Sequence, residues 1–356
     1  MKVLHLTSGN LFGGIETMLV SIARHAGSEP GLDTQFAVCF DGRFRNELEA
    51  SGAAVHCLGA VRARNPFGVR RARRVLERIL DLEEIDVVIC HSSWPLAIFG
   101  AAVKSSGRRL VLWQHAPNGG ASWLEGWARQ SRPELVIFNS EYTARTAKGI
   151  HASARRAVLH CPVTLHAVSD HLSASERASV RADFDTRPDD VVIVQVSRLE
   201  EWKGHALHLH ALSRMRDVDG WVCWMVGGAQ RPAEERFFEK LQDLAFEWGI
   251  ADRVRFLGQR ADVPLLLEAA DIHCQPNIKA EAFGITYVEA LSAGLPVVAT
   301  ALGGATEIVD ESCGILTSRP DVDEVAAALR RLVVDAVLRA RLGNAGPARA
   351  RALCDP

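Results

Sequence analysis

Short apolar runs alternate with amphipathic stretches from one end of this chain to the other. In the first half the runs occupy 3–7, 35–40, 54–58, 86–91, 110–115 and 134–139; in the second they occupy 191–197, 221–226, 254–257, 272–275, 297–300 and 314–316. Most are continuous rather than alternating, which is the pattern of strands covered on both faces of a parallel sheet. Between them lie amphipathic segments, such as 15–26, 69–82, 236–248 and 322–334. This strand–helix rhythm predicts a doubly wound α/β architecture.

The rhythm breaks once. Residues 164–190 hold no strand-like run and end in Thr186-Arg187-Pro188-Asp189-Asp190. The break predicts a linker over 166–189 between two Rossmann-like domains, residues 1–165 and 190–356. The length, 356 residues, suits two domains of ordinary size, expected to face each other across a cleft. Ligands of such sheets gather beyond the C-terminal ends of the strands. Chemistry is therefore expected in 7–16, 91–95, 115–120, 197–204, 227–228, 275–284 and 300–307.

Composition narrows the function classes. A formal net charge of -2 offers no broad basic field for nucleic acid, so none is expected as a partner. The eight cysteines never stand at CxxC spacing, which argues against zinc ribbons and thioredoxin-type sites and for buried, reduced thiols. The N-terminal residues 1–7 read as a strand rather than a signal peptide, and no apolar run is long enough to span a bilayer. A cytoplasmic protein, at most peripheral to a membrane face, is expected.

Four strand-end segments of the second half converge on one chemistry. Ser197-Arg198-Leu199-Glu200-Glu201-Trp202-Lys203-Gly204 follows a buried run and leads into a helix. A guanidinium fork and an ammonium point charge on one such loop suit a diphosphate. Glu281-Ala282-Phe283-Gly284-Ile285-Thr286 opens a helix running to about Ala293, whose free first-turn N–H groups can bind anionic oxygen. Glu281 lies just outside that helix and Glu289 in its second turn, so two carboxylates can serve the vicinal hydroxyls of different parts of one ligand. Gly303-Gly304 after another buried run permits close backbone approach, and Gln275-Pro276-Asn277 is a turn on the same side.

Taken together, Ser197-Arg198-Leu199, Lys203-Gly204, Glu281 with Glu289, and Gly303-Gly304 with Glu307 resemble the family 4 retaining glycosyltransferases of GT-B fold, also called glycosyl transferases group 1. Gly13-Gly14-Ile15-Glu16 and Phe138-Asn139-Ser140-Glu141 match that family too. The resemblance implies that Arg198 and Lys203 hold the diphosphate of a UDP- or GDP-sugar and stabilise the leaving group. It implies that Glu281 contacts the transferred hexose and Glu289 the ribose. Ser197 and the segment Phe283, Gly284, Ile285 and Thr286 would bind sugar and phosphates, with Gly303 and Gly304 beside them. Retention of anomeric configuration is implied, with no metal and no cofactor beyond the nucleotide-sugar substrate.

The first half is expected to bind the acceptor, a glycan or lipid-linked hydroxyl. His115 ends a run before a Pro/Gly loop, and the resemblance places a histidine there that points at the donor sugar; His91 is a lesser candidate. Gly13, Gly14 and Glu16 would form a loop that closes over the donor phosphate or meets the acceptor. Seven arginines within 62–78, against Glu77 alone, give a helix with one apolar and one basic face. Peripheral contact with anionic lipid is expected there. Trp94, Trp123 and Trp127 are candidates for an acceptor groove. The family usually continues into a long helix that returns to the first domain, and the short C-terminus reads as either an abbreviated form of it or a truncation. Competing readings are a sugar-nucleotide epimerase of the same fold and a non-catalytic nucleotide-sugar-binding subunit. Asp183-Phe184-Asp185, Asp217-Val218-Asp219 and Asp321-Val322-Asp323 match a metal-binding DxD pattern but fall at linker or helix-edge positions.

Overall fold

Strand pairing is parallel throughout the computed structural model, which describes residues 1–117, 122–147, 151–165 and 172–355. The chain divides into two compact units that meet in sequence between Val163 and Thr164.

The first unit runs β1 (Lys2–Thr7), α1 (Gly14–Arg24), β2 (Asp33–Val38), α2 (Arg43–Ala50), β3 (Ala54–Cys57), α3 (Pro66–Leu82) and β4 (Val87–His91). It continues with α4 (Ser93–Ser105), β5 (Arg109–Gln114), α5 (Trp123–Arg129), β6 (Leu135–Phe138), α6 (Glu141–Thr146) and β7 (Arg155–Val158). The sheet order is β3-β2-β1-β4-β5-β6-β7. Its central strands bury Leu4, Leu6, Val88, Cys90, Leu110 and Leu112, as their continuous apolar runs require. Helix α3 starts at Pro66, three residues before the amphipathic pattern begins. Proline suits the first helical position, and Asn65 accepts the Gly68 N–H at 3.1 Å as a cap. Val69, Ala72, Leu76 and Leu80 form its buried stripe. Strand β7 is absent from the sequence pattern because this edge strand is exposed along its length and has no apolar run to announce it.

The second unit runs α7 (Ala174–Ala182), β8 (Val191–Val196), α8 (His205–Ser213), β9 (Trp221–Val226), α9 (Pro232–Glu247), β10 (Val254–Gly258) and α10 (Val263–Ala269). Then come β11 (Ile272–Gln275), α11 (Ile285–Ser292), β12 (Val297–Thr300), α12 (Ala305–Ile308), β13 (Gly314–Thr317), α13 (Val322–Val334) and α14 (Ala336–Cys354). Its sheet order is β10-β9-β8-β11-β12-β13. Both sheets thus reverse direction beside their first strand, and the doubly wound architecture read from the sequence holds. The switch points lie between β1 and β4 and between β8 and β11.

Part of the stretch read as a linker is instead a working piece of the second unit. Within 166–189, whose first residues up to 171 lie outside the described ones, α7 is fixed by Arg181. Its buried guanidinium donates to the carbonyls of Ala269, Pro188 and Asp190 and pairs with Asp271 at 2.6 Å. Arg177 reaches the same carboxylate at 2.7 Å. A buried arginine needs its fork filled, and here the fork ties the helix to the chain just before β8 and β11, the two central strands of the sheet.

The C-terminal segment is likewise more than a short tail. Helix α14 extends over 19 residues and packs along α11. Gly343 and Gly346 allow that approach: a Cβ at Gly343 would stand 2.3 Å from the Gly294 carbonyl oxygen, and one at Gly346 2.6 Å from that of Leu291. Among the described residues no helix is long and apolar enough to cross a membrane. All eight cysteines are free; seven are buried and Cys57 is exposed.

Candidate functional site

The loops after β8 and β11 flank the switch point of the second sheet and are interlocked by their backbones. The Ile278 N–H donates to the Trp202 carbonyl at 2.9 Å. Gly204 has φ +76, and a Cβ there would lie 1.9 Å from the Pro276 carbonyl oxygen. Only glycine permits both the left-handed turn and that contact. The loop after β12 joins them. Gly303, with φ +67, forms a bridge to Glu281, and the Gly304 N–H donates to the Glu281 carbonyl at 2.8 Å.

This frame brings Lys203 and Glu281 together as an ion pair through Glu281 Oε2. Asn277 donates to the same oxygen at 3.1 Å, and the Ala282 N–H donates to Oε1 at 3.2 Å. The Lys203 ammonium also stands 4.1 Å from the centre of the Trp202 ring, within cation–π reach. Both charged side chains are mostly covered, at 14% and 11% exposure, so their attraction is much less screened than a surface pair's. Arg198 is on the same loop but pairs with Glu200 at 3.0 Å, and the Trp202 indole N–H donates to that carboxylate at 3.0 Å. Each of the two cations on this loop thus has its own acid.

Behind Lys203 stands a buried amide that the sequence reading missed. Gln195, inside β8, donates to the Lys203 carbonyl at 2.9 Å and receives His208 Nδ1 at 2.9 Å. Ser197 Oγ bonds His205 Nε2 at 3.0 Å. Polar groups inside an apolar strand and helix fix the path of the loop from below. A glutamine in a buried run was the available signal, since such a group must find a partner.

Gly284, with φ +106, starts α11, and a Cβ there would overlap the Tyr287 ring. Phe283 and Tyr287 are buried, Tyr287 donating to the Gln275 carbonyl at 3.2 Å, while Ile285 and Thr286 remain half-buried. Glu289 follows in the second turn. Its carboxyl has no hydrogen-bond or ion-pair partner among the described residues, and desolvation pushes its pKa up to about 7. Beside this frame opens a cavity of about 410 Å³, lined by Leu199, Gly227, Gly228, Ala229, Glu235, Phe238, Glu239 and Gly258. Its volume suits a nucleobase-sized group. Glu235, Phe238 and Glu239 come from α9 and were not singled out from the sequence.

In the first unit, Gly13 and Gly14 begin α1 at the C-terminal end of β1. Glu16 accepts the Gly13 N–H at 3.0 Å. This carboxylate closes the start of its own helix, a structural role that the sequence reading had not given it. His115 follows β5 and is buried at 8% exposure; the loop after it passes out of the described residues at 118. Its Nε2 lies 2.9 Å from Nδ1 of His91, and Nε2 of His91 lies 2.9 Å from Nδ1 of His5. Burial lowers the pKa of His115 to about 3, with the neighbouring His5 adding to the shift. His5 is lowered to about 4 by burial, and His91 lies well below the ordinary value. All three are neutral imidazoles at physiological pH.

Two of the DxD matches have local roles. Asp217 pairs with Arg330 at 2.6 Å, and Asp321 caps α13 by accepting the Asp323 and Glu324 N–H groups. Trp123 is exposed and stacks on Trp127 with 6.3 Å between ring centres. In α3 the side chains of Arg70, Arg71, Arg74 and Arg78 are exposed, as are those of Arg62 and Arg64 before it, and none pairs with a carboxylate of a described residue. Arg73 is half-buried and donates to the Ile98 carbonyl at 2.6 Å.

The chain is similar to known proteins in both sequence and fold. The profile described as Glycosyl transferases group 1 matches residues 176–349, and that described as Glycosyltransferase Family 4 matches residues 12–167. A GDP-mannose-dependent alpha-(1-6)-phosphatidylinositol monomannoside mannosyltransferase of Mycolicibacterium smegmatis is 30% identical over 76% of this chain and 73% of its own length. The protein of that description from Mycobacterium tuberculosis is 29% identical over 94% of this chain and 89% of its length. Among solved structures, Anabaena HepE in complex with UDP and glucose superposes with a TM-score of 0.86 at 25% identity, covering 100% of this chain and 96% of that one.

Proposed function

The chain belongs to the group 1, family 4 glycosyltransferases and uses a nucleotide-sugar donor, and from that premise we propose that it moves a hexose from a UDP- or GDP-sugar to a hydroxyl of a glycan or lipid-linked acceptor with retention of configuration. The observation that carries the reading is the Lys203–Glu281 pair at the switch point of the second sheet.

The chemistry follows from that pair. Loss of a nucleoside diphosphate from the anomeric carbon builds negative charge on the leaving phosphate. Lys203 and Arg198 are the cations to receive it, each released from its resident acid as the phosphates arrive. A preorganised cation in a largely covered site contributes most in the transition state, where the charge is greatest. Glu281, freed from Lys203, then accepts from the sugar hydroxyls. Glu289, half-buried and without a partner among the described residues, accepts from the ribose, and the first-turn amides at Gly284, Ile285 and Thr286 meet phosphate oxygen and sugar. The cavity beside Leu199 takes the base. In the first unit, His115 hydrogen-bonds a hydroxyl of the reacting sugar.

GDP-mannose is the first donor to test, because it is named for the mannosyltransferase relatives, with a phosphatidylinositol mannoside as acceptor. UDP-glucose is the second. A panel of UDP-, GDP- and ADP-hexoses, assayed for transfer and hydrolysis with anomeric configuration read by NMR, tests the reading. An inverted product sinks the assignment of retention, and no turnover with any hexose donor sinks the proposal. The exposed arginines of 62–78, with Phe67 exposed at 84% beside them, are proposed to meet an anionic membrane surface. Sedimentation with anionic vesicles at low salt, lost at high salt, is the expected result.

A further inference from the structure

Three histidines, two in strands and one just after a third, form one row in the first unit. His5 sits in β1, His91 ends β4 and His115 follows β5, and these strands are neighbours in the sheet. The rings are nearly parallel, with centres 5.1 Å and 5.2 Å apart. Phe36 stacks on His5 at 5.3 Å, and Trp113 stands 5.6 Å from His115. Both ring nitrogens of His91 are engaged, Nε2 with His5 and Nδ1 with His115. At the end of the row, Nδ1 of His115 has no hydrogen-bond partner among the described residues.

Proton counting ties the three rings together. A neutral imidazole carries one N–H and one lone pair, so the middle ring donates on one side and accepts on the other. If His91 is protonated on Nδ1, it donates to His115 Nε2, which obliges His115 to carry its proton on Nδ1. His5 must then donate from Nδ1 to His91 Nε2. In the reverse pattern all three protons sit on Nε2, and Nδ1 of His115 is an acceptor. Any mixed pattern sets two donors or two lone pairs face to face in a buried place. The three rings therefore share one tautomer.

We propose that His5 and His91 are positioning residues for the transfer reaction: their row holds the His115 ring in one orientation and sets whether its Nδ1 donates to or accepts from the substrate. The tautomer of a histidine is set by the bond its other nitrogen makes, and here that dependence runs through two rings rather than one. The inference rests on the reading of His115 as a residue that meets the reacting sugar. His5 itself stays clear of the substrate and acts only through the row.

The test uses the whole chain, labelled with 15N in its imidazoles, and long-range proton–nitrogen spectra that report which nitrogen of each ring carries the proton. In the unsubstituted protein, His5, His91 and His115 are expected to show the same tautomer in the same proportion; unequal proportions overturn the proposal without any variant. His5→Phe keeps a flat ring on Phe36 but removes the hydrogen bond. It is expected to change the tautomer ratio of His115 and lower kcat about tenfold with little change in donor KM. His5→Asn, whose amide reaches the place of Nδ1, is expected to retain turnover. A folded His5→Phe protein with an unchanged His115 spectrum and unchanged kcat overturns the proposal. Full turnover in His115→Ala overturns the reading of His115 instead and leaves the spectra of the row unexplained by catalysis, so the two failures are distinguishable.

Discussion

Lys203, after β8, and Glu281, after β11, form an ion pair across 78 residues of chain, and one oxygen of that glutamate also receives Asn277. Phosphate competes for the ammonium and sugar hydroxyls for the carboxylate. Lys203→Ala should reduce kcat by about two to three orders of magnitude, as for other lost charge stabilisers in covered sites. Glu281→Gln keeps the size of the side chain but removes its charge and so releases Lys203; it should cost less than Lys203→Ala. The double variant should be clearly non-additive. Steady-state kinetics on the four proteins checks this; strict additivity would mean that the two residues act independently.

Glu289 predicts a pH dependence of donor binding. Its folded pKa, about 7, is raised above the ordinary value of 4.5 by burial. Ribose hydroxyls donate to the ionised form. Affinity for the nucleoside diphosphate should therefore rise about tenfold from pH 6 to pH 8 and level off above. For stability the sign is opposite: the neutral acid is the comfortable form, and its contribution is lost as pH rises from 4.5 through 7. Glu289→Gln should flatten the binding profile and should stabilise the unliganded protein at pH 8 but not at pH 4. Calorimetric titration across this range and thermal melts at the two extremes check both signs.

Two glycines with similar backbone angles should respond differently to alanine. Gly220 has φ +74 and open space where a Cβ would go; Gly303 has φ +67 and the Glu281 carbonyl oxygen 2.1 Å from that position. Gly220→Ala should cost only the left-handed strain, about 1–2 kcal/mol. Gly303→Ala adds a backbone overlap and should cost about 3–5 kcal/mol, because the loop that carries Glu281 must shift. Urea denaturation compares them. Equal costs would show that the Gly303–Glu281 contact yields easily.

Acid should unfold this protein early. Burial lowers His205 to about 4 and His208 and His273 to about 3, as it lowers the three histidines of the first unit. The unfolded chain takes up protons near 6.5 that the folded chain refuses. The stability these neutral rings confer is complete above 6.5 and is lost as pH falls toward 3–4. The denaturation midpoint should be level above pH 7 and drop steeply below 6. His273→Leu, which removes a ring whose two nitrogens have no partner among the described residues, should soften that drop. A midpoint constant down to pH 5 would contradict the buried, neutral assignment.

The sequence disclosed what is written in local pattern. Continuous runs such as 191–197 and 221–226 marked the central strands because burial on both faces demands them. Lys203, Glu281 and Gly303 stood out because each follows such a run. Other features depend on which strands become neighbours, and no local pattern states that. His5, His91 and His115 are far apart in sequence, and only the β1-β4-β5 order lines them up. Gln195 sits within a run that reads as pure core. Helix α7 was passed over because its anchor, Arg181, is recognisable only once Asp271 is beside it. The partner of Arg198 was equally hidden: nothing local to the sequence says that Glu200, rather than Glu201, takes both Arg198 and the Trp202 indole.

The packing of α14 on α11 gives the donor segment a hard mechanical stop. Side chains between two helices act as a cushion, since rotamers can change and absorb a displacement. At Gly343 and Gly346 there is no such layer, and main chain rests on main chain. A rod seated on a rigid bearing moves as a whole. At these two positions α14 therefore leaves α11 little room to shift independently, and with it the amides at Gly284 and Ile285, where the phosphates are proposed to sit. The C-terminal helix sets the gauge of a site to which it lends no side chain.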